Sequence, residues 1–208
     1  MSPVEVEVKF RVADRALLAE QLQAAGLSVV TPSTFERNTL FDTPEHTLRR
    51  QTAILRIRRY GERWVLTHKC LPGDHDPGER HKHRVETETE VADGEALATI
   101  FRSLGYRESF VYEKWRTEYA DETGHCVIDQ TPIGVFAELE GPESWIDELA
   151  GRLGVAREAM LTLSYGRLFE QWREASGSGA ENLTFGECGT AGTDAGPDIG
   201  ADPGSGPG

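Results

Sequence analysis

Alternation of apolar and charged residues with a period of two dominates this sequence. In residues 3–12, PVEVEVKFRV, the valines and Phe10 occupy one side of the pattern, and Glu5, Glu7 and Lys9 occupy the other. A period of two is that of a β-strand, because successive side chains of a strand point to opposite faces of the sheet. The stretch therefore predicts a strand with one apolar face and one charged face.

The same period recurs in seven further segments along the chain. They are residues 34–43, 53–60, 63–69, 82–91, 109–120, 125–129 and 134–141. Eight mostly antiparallel strands close readily into a barrel, which leaves no unpaired sheet edge. The sequence thus predicts an α+β fold in which an eight-stranded antiparallel β-barrel is flanked by helices. A two-layer α+β sandwich is the alternative.

Helices are predicted between the strands and after them. Residues 14–26 and 93–105 each open with an Asp at the N-cap and close with a Gly just past the last turn. Both segments follow a strand that contains E-x-E, and in both the N-cap Asp is preceded by Val-Ala, which indicates a weak internal repeat of two β-α-β-β-β halves. Two more helices are predicted near residues 143–152 and 164–174.

The composition changes near the C-terminus. Residues 176–208 contain ten glycines, three prolines, five acidic residues and no lysine or arginine. Segments with so few apolar residues cannot bury enough surface to offset the entropy lost on folding. The sequence therefore predicts a folded domain over residues 1–175 and a disordered, acidic tail over residues 176–208.

Charge and hydropathy limit the partners. A formal net charge of −13 argues against nucleic acid, whose phosphate backbone requires a basic surface. No apolar run reaches the length of about 18 residues that a membrane span requires, and the start MSPVEVE lacks the features of a signal peptide. Three cysteines at spacings without a metal pattern indicate reduced thiols. We expect a cytoplasmic protein that binds neither nucleic acid nor membrane and is a monomer or a homodimer.

The charged faces of the predicted strands contain chemically sorted residues. A solvated face would show the same alternation, but here arginines recur in R-x-R pairs and carboxylates in E-x-E pairs. Inside a closed barrel, an unpaired ion would cost several kcal/mol. Carboxylates suit Mg²⁺ or Mn²⁺, whereas lysine and arginine suit phosphoryl oxygens. The pattern predicts a polyphosphate ligand bound together with metal ions.

These motifs resemble those of a known family. Residues 5–9, EVEVK, are similar to the E-x-E-x-K signature of the CYTH superfamily, the triphosphate tunnel metalloenzymes. That superfamily includes class IV adenylyl cyclases, thiamine triphosphatases and inorganic triphosphatases. The resemblance continues through LRIRR (55–59), WVLTHK (64–69), RVETETEV (84–91), EKWR (113–116), VID (127–129), FAELEG (136–141) and SYGRLF (164–169).

The resemblance implies a role for each matching residue. It implies a barrel that encloses a tunnel, with Mg²⁺ or Mn²⁺ as the cofactor. The implied metal ligands are Glu5, Glu7, Glu138 and Glu140. The implied ligands of the triphosphate are Lys9, Arg56, Arg58, Lys69, Arg84, Lys114 and Arg116. In a triphosphatase, a catalytic carboxylate such as Glu88 or Asp129, or a metal ion, would orient the attacking water.

Three functions are compatible with such a tunnel. We favour metal-dependent hydrolysis of a triphosphate, because the Arg56 and Arg58 pair and the Glu138 and Glu140 pair would supply many ligands to a terminal phosphate and its metal ions. The substrate would be inorganic triphosphate, thiamine triphosphate or a nucleoside triphosphate. The alternatives are a class IV adenylyl cyclase, which would convert ATP to cyclic AMP and diphosphate, and a non-catalytic module that binds polyphosphate.

Overall fold

Eight antiparallel strands close into a barrel. The computed structural model describes residues 4–71 and 82–189, without the side chains of residues 4, 5 and 82–84. The strands follow one another around the barrel in the order β1-β5-β4-β3-β2-β6-β7-β8, and β8 pairs with β1 to complete the circle. They are β1 (Val4–Arg11), β2 (Ser28–Asp42), β3 (Ile54–Tyr60), β4 (Arg63–Cys70), β5 (Lys82–Val91), β6 (Arg107–Ala120), β7 (His125–Thr131) and β8 (Gly134–Glu140).

The closed circle confirms the prediction of an eight-stranded antiparallel barrel with flanking helices and excludes the two-layer alternative. Several strands extend beyond their predicted bounds, and β2 does so most. β2 starts at Ser28 rather than at residue 34, and its pairing with β6 shifts register at three places. The irregular register explains why the first half of β2 lacks the alternation that marks the other strands.

Six α-helices lie outside the strands in the part of the chain that the structure describes. They are α1 (Arg15–Ala24), α2 (Thr47–Arg50), α3 (Gly94–Ser103), α4 (Glu143–Arg152), α5 (Tyr165–Ser176) and α6 (Phe185–Cys188). The predicted caps of α1 and α3 are present, since Asp14 accepts from the Leu17 amide and Asp93 accepts from the Ala96 amide. No described helix combines the length and the apolar composition needed to cross a membrane.

The main apolar core lies between the outer face of the barrel and the helices. Val8 and Phe10 of β1 are buried there together with Leu22 of α1 and Leu139 of β8. A smaller cluster forms where α3 covers β3 and β4, and a Cβ placed on Gly94 would lie 2.2 Å from the Trp64 ring. Because the apolar faces are used outside, the charged faces of the strands line the interior.

The chain is ordered beyond the predicted domain boundary. Residues 177–189, which we call the C-terminal strap, return from α5 to β6. The Leu183 amide donates to the Val111 carbonyl at 3.0 Å, and the Glu113 amide donates to the Leu183 carbonyl at 2.9 Å. Leu183 has no exposed surface. The predicted domain end at residue 175 is therefore corrected to at least residue 189.

The pairing of β6 explains why the strap can pack against the barrel. β7 pairs with β6 only from Trp115 onward, so the preceding part of that β6 edge is available to the strap. Buried Leu183, its two backbone hydrogen bonds and a hydrogen bond from the Val111 amide to Asn182 hold the strap, which a composition rich in glycine does not reveal. The rest of the predicted tail, residues 190–208, lies outside the described residues.

Candidate active site

The interior of the barrel contains a cavity of about 360 Å³, which we call the tunnel cavity. The inward positions of six strands (β1, β3, β4, β5, β6 and β8), repeated every second residue, supply its charged lining. Among the described residues, the cationic members are Lys9, Arg56, Arg58, Lys69, Lys114 and Arg116, and the acidic members are Glu7, Glu86, Glu88, Glu118, Glu138 and Glu140. Ten of the residues predicted for the site are thus brought together here.

Three predicted residues have a different position. Glu5 and Arg84 face each other in the register of β1 and β5, but their side chains lie outside the described part of the chain. Asp129 has no exposed surface and lies behind the cavity wall. Its contacts explain its position.

Both oxygens of the Asp129 carboxylate accept hydrogen bonds from neighbouring side chains. Lys114 Nζ lies 2.8 Å from Asp129 Oδ2, and Arg116 donates to both carboxylate oxygens at 2.7 Å. The hydroxyl of Tyr165 donates to Oδ2 at 2.6 Å. A carboxylate with these donors fixes the direction of two cations that line the cavity. The catalytic role predicted for Asp129 stays a prediction.

Glu138 lies between two cations. Lys9 Nζ pairs with one carboxylate oxygen, and Arg116 Nη2 lies 2.8 Å from the other. Burial alone would raise the pKa of Glu138, but Lys9, Arg116 and Lys114 outweigh burial and hold the pKa well below its ordinary value. The carboxylate is therefore ionised and already neutralised, so the metal role predicted for it stays a prediction.

Glu36 is a buried acidic residue that the sequence interpretation missed. Its side chain has no exposed surface, accepts from Asn38 Nδ2 at 2.7 Å and lies 3.5 Å from Lys114 Nζ. Burial would raise the pKa of Glu36, but Lys114, Arg116 and two further arginines lower it to about 2. The sequence contains a signal for this residue, because the alternation that places Asn38 inward on β2 also places Glu36 inward.

Glu88 is the carboxylate next to the arginine pair of β3. It accepts from Thr67 Oγ1 at 2.6 Å and lies 3.3 Å from the guanidinium groups of both Arg56 and Arg58. Its side chain is 35% exposed. Burial raises the pKa of Glu88, but the hydrogen bond from Thr67 and the charge of Arg58 lower it further than burial raises it. Glu88 is thus an ionised acceptor in contact with solvent.

The arginine pair retains free donors. Within the described part of the chain, the Nε–H groups of Arg56 and Arg58 are buried and have no hydrogen-bond acceptor. Buried donors without an acceptor are costly and are rare in folded proteins. Their presence on two neighbouring inward positions of one strand indicates a surface that is completed by an anionic ligand.

Two tyrosines support the cations, and the sequence interpretation assigned neither of them to the site. The Lys9 and Lys114 ammonium groups lie 4.1 Å and 4.8 Å from the ring centroid of Tyr165, within cation–π range. The hydroxyl of Tyr112 accepts from Arg56 Nη1 at 3.1 Å. Burial, followed by the negative charges of Asp129 and Glu138, raises the pKa of Tyr165, so its hydroxyl keeps its proton.

The fit to a divalent cation can be judged from the carboxylates. The described residues contain no group of three or more His, Cys, Asp or Glu side chains arranged to hold a metal ion. Glu7 and Glu140 lie opposite each other in the register of β1 and β8, and both line the tunnel cavity. Mg²⁺ commonly uses one or two carboxylates and takes its other ligands from substrate phosphates and water. This pair fits such a site.

Comparison with known proteins agrees with this architecture. The CYTH domain family matches residues 3–151 of the chain. Adenylate cyclase CyaB of Aeromonas hydrophila is 30% identical over 182 residues, which cover 80% of this chain and 89% of that protein.

Solved structures show the same fold. One from Vibrio parahaemolyticus, described as a candidate adenylate cyclase, has a TM-score of 0.69 and 18% identity and covers 82% of this chain and 99% of that chain. One from Hippeastrum, an adenylyl cyclase candidate described as having a dominant triphosphatase activity, has a TM-score of 0.58 and 19% identity. It covers 83% of this chain and 96% of that chain.

Proposed function

This chain belongs to the CYTH domain family, and we propose that it hydrolyses a triphosphate substrate inside the barrel with the help of a divalent metal ion, Mg²⁺ or Mn²⁺. The observation that carries the proposal is the position of Glu88. This ionised and partly exposed carboxylate contacts the two arginines whose buried Nε–H groups have no acceptor. A water held by Glu88 would therefore stand beside the terminal phosphate that those arginines bind.

The charge balance of the tunnel cavity supports the metal requirement. Among the described lining residues, six cations face six carboxylates, so positive and negative charges balance there. A triphosphate that binds the cations adds several negative charges and releases carboxylates from their ion pairs. Uncompensated charge in a partly buried site is costly. Divalent cations that enter with the triphosphate would restore the balance.

Each group would contribute by holding charge in place. Phosphoryl transfer needs mainly positioning and neutralisation of developing charge, without a covalent nucleophile. Arg56 and Arg58 would bind the terminal phosphate, and Lys9, Lys114 and Arg116 would bind the rest of the chain of phosphates. Lys69, paired with Glu86 at 2.8 Å, and Arg84 are further ligands. Asp129 would position Lys114 and Arg116 rather than contact water.

Glu7 and Glu140 would hold the divalent ion, together with Glu5. Bound there, the ion would neutralise charge on the phosphate oxygens. The remaining members of the predicted metal set differ in their contacts, because Glu138 is engaged by Lys9 and Arg116. We propose that Glu138 first acts as the counter-ion of these two cations and becomes available to a metal only when phosphate replaces it.

A cyclase is the second candidate, and the name of the Aeromonas relative favours it. In that reaction the ribose 3′-hydroxyl attacks the α-phosphorus of ATP, and diphosphate leaves. The Hippeastrum protein, by its description, combines a cyclase name with a dominant triphosphatase activity, so a cyclase name does not exclude hydrolysis. A non-catalytic polyphosphate module would bind the same ligands without turnover.

The proposal is tested with purified protein, ATP or inorganic triphosphate, and Mg²⁺, Mn²⁺ or a chelator. We expect phosphate release that requires the metal and that falls about 100-fold or more in Glu88→Gln. The matched control is Glu90→Gln, two residues away on β5, where the exposed carboxylate pairs with Arg63 outside the tunnel lining. Equal losses in both variants, or release that persists in the chelator, would contradict the proposal.

A further inference from the structure

The C-terminal strap fills a gap in the wall of the barrel. β7 pairs with β6 from Trp115 onward, and the earlier part of that β6 edge pairs with the strap through a parallel bridge between Tyr112 and Leu183. Directly paired residues of neighbouring strands carry their side chains on the same face of a sheet. Because Tyr112 lines the tunnel cavity, the bridge places the side chain of Leu183 on the inner face as well.

Hydrogen bonds hold the strap on both sides of Leu183. Before it, the Val111 amide donates to Asn182 Oδ1 at 2.9 Å, and after it, the Phe185 amide donates to Glu113 Oε2 at 3.1 Å. The backbone of Leu183 itself donates to β6 and accepts from β6. The position of the Leu183 side chain against the barrel is therefore fixed by bonds along the whole bridge.

Leu183 packs in the cluster that contains both tyrosines of the site. It has no exposed surface, and its cluster includes Tyr112 and Tyr165, whose ring centroids lie 5.7 Å apart. Each tyrosine contacts a cation of the tunnel. The hydroxyl of Tyr112 accepts from Arg56, and the ring of Tyr165 lies against the ammonium group of Lys9. The strap thus packs against the groups that orient the proposed phosphate ligands.

The packing of these tyrosines bears on affinity. Lysine and arginine side chains have many rotamers, and a ligand that must first order them binds more weakly than one that meets them in place. Protein interiors are closely packed, so removal of a buried leucine side chain leaves space into which neighbouring rings can move. Without Leu183, Tyr112 and Tyr165 would hold their cations less firmly.

We propose that Leu183 is a positioning residue for the triphosphate, and that the strap acts on the tunnel cavity through Tyr112 and Tyr165. The inference rests on the proposed function, because it concerns the affinity of the same cations for the triphosphate. It differs from a contribution of the strap to stability, because it predicts weaker binding by a protein that is still folded.

The test compares two buried leucines from different clusters. Leu183→Ala removes the strap contact, whereas Leu22→Ala removes a leucine of α1 that also has no exposed surface but packs on the outer face of the barrel. The two changes should lower the free energy of unfolding by similar amounts. Leu183→Met conserves most of the volume, and Asn182→Ala removes the acceptor of the Val111 amide while Leu183 stays in place.

Dissociation constants are measured by calorimetry for imidotriphosphate with Mg²⁺, at a temperature at which each variant is folded according to its denaturant unfolding curve. We expect Leu183→Ala to weaken binding about tenfold and Asn182→Ala about threefold or more. Leu183→Met and Leu22→Ala should stay within about twofold of the unmodified protein. If Leu183→Ala does not fold, Asn182→Ala decides the test.

Equal weakening by Leu183→Ala and Leu22→Ala would mean that binding follows general stability, and this result would overturn the positioning role. Unchanged binding in both strap variants would overturn it too. Either result leaves the proposed function standing. Failure of the unmodified protein to bind imidotriphosphate would instead overturn the proposed function on which the inference rests.

Discussion

The hydroxyl of Tyr165 donates a 2.6 Å hydrogen bond to Asp129 inside the barrel. The bond joins the first residue of α5 to a carboxylate of β7 that has no exposed surface. The same carboxylate of Asp129 also accepts from Lys114 and Arg116, and the ring of Tyr165 lies against the ammonium group of Lys9. The helix at one end of the barrel thus helps to hold three of the proposed phosphate ligands.

Tyr165→Phe should weaken substrate capture. The variant keeps the ring but removes one donor from a buried carboxylate, a loss of about 1–1.5 kcal/mol for a single hydrogen bond. We expect KM for the triphosphate to rise about tenfold with kcat changed by less than about threefold. Tyr165→Leu removes the ring as well and should raise KM further. Steady-state kinetics measures both.

The control for this pair is Tyr106→Phe, since Tyr106 packs against Phe101 on the outer face of the barrel. Its KM should equal that of the unmodified protein. A Tyr165→Phe variant that loses kcat while KM stays constant would show that Tyr165 does more than position the cations.

Adjacent arginines on β3 provide a direct test of which face binds phosphate. Arg58 lines the tunnel cavity, whereas Arg59 is exposed and donates to the Gly61 carbonyl. Loss of a charge-assisted contact costs about 1.5–3 kcal/mol, so Arg58→Gln should raise KM about tenfold to 100-fold. Arg59→Gln should leave KM within about twofold. Equal effects in the two variants would contradict the assignment of the inward face.

Glu36 should make stability depend on acid pH. Its folded-state pKa is about 2, below the ordinary value of 4.5, so ionised Glu36 stabilises the fold above pH 4.5 and this contribution is lost as the pH falls toward 2. A shift of this size corresponds to about 3 kcal/mol. Glu36→Gln should therefore lower the free energy of unfolding by about that amount at pH 7.

Below about pH 2 the carboxyl group of Glu36 is protonated in both states, so the gap between Glu36→Gln and the unmodified protein should close. Denaturant unfolding at several pH values measures the gap. The exposed Glu20→Gln on α1 is the control and should differ by less than about 0.5 kcal/mol throughout. A gap that is constant from pH 7 to pH 2 would mean that Glu36 does not stabilise the fold through its charge.

The C-terminal strap should contribute to stability. Leu183 has no exposed surface and packs in a cluster with Phe136, Tyr165 and Leu168. Leu183→Ala should destabilise the protein by about 2–5 kcal/mol, the usual cost for a buried leucine. Deletion of residues 177–208 should have at least this effect, whereas deletion of residues 190–208 alone should change the midpoint of unfolding little. Equal midpoints for both deletions would contradict the packing of the strap.

The barrel could be predicted from the sequence because most inward charges have an apolar neighbour facing outward. Strands with this alternation cannot slip by one residue without burying every charge in the outer core. The same rule assigned Arg56, Lys114 and Glu138 to the interior. It failed for the first half of β2, where register shifts interrupt the alternation.

The parts of the site that could not be predicted depend on contacts between distant residues. Asp129 has the spacing of an inward carboxylate, but Tyr165, which saturates it, comes from a helix 36 residues later in the chain. The strap is held by backbone hydrogen bonds, by a bond to the Asn182 side chain and by buried Leu183, and the alternation of the strands gives no sign of these contacts. A cavity of about 410 Å³ beside the tunnel is lined by β2, β3, β6, α2, α5 and the strap, so its polarity becomes visible only once these segments have packed together.

The most direct test of the central claim is the identity of the products formed from ATP. The purified protein is incubated with ATP and Mg²⁺ or Mn²⁺, and the products are followed by phosphorus NMR and by chromatography of the nucleotide. Hydrolysis at the terminal phosphate predicts inorganic phosphate and ADP in equal amounts, with the reaction abolished by a chelator. Diphosphate and cyclic AMP as the main products would contradict hydrolysis and identify the protein as a cyclase.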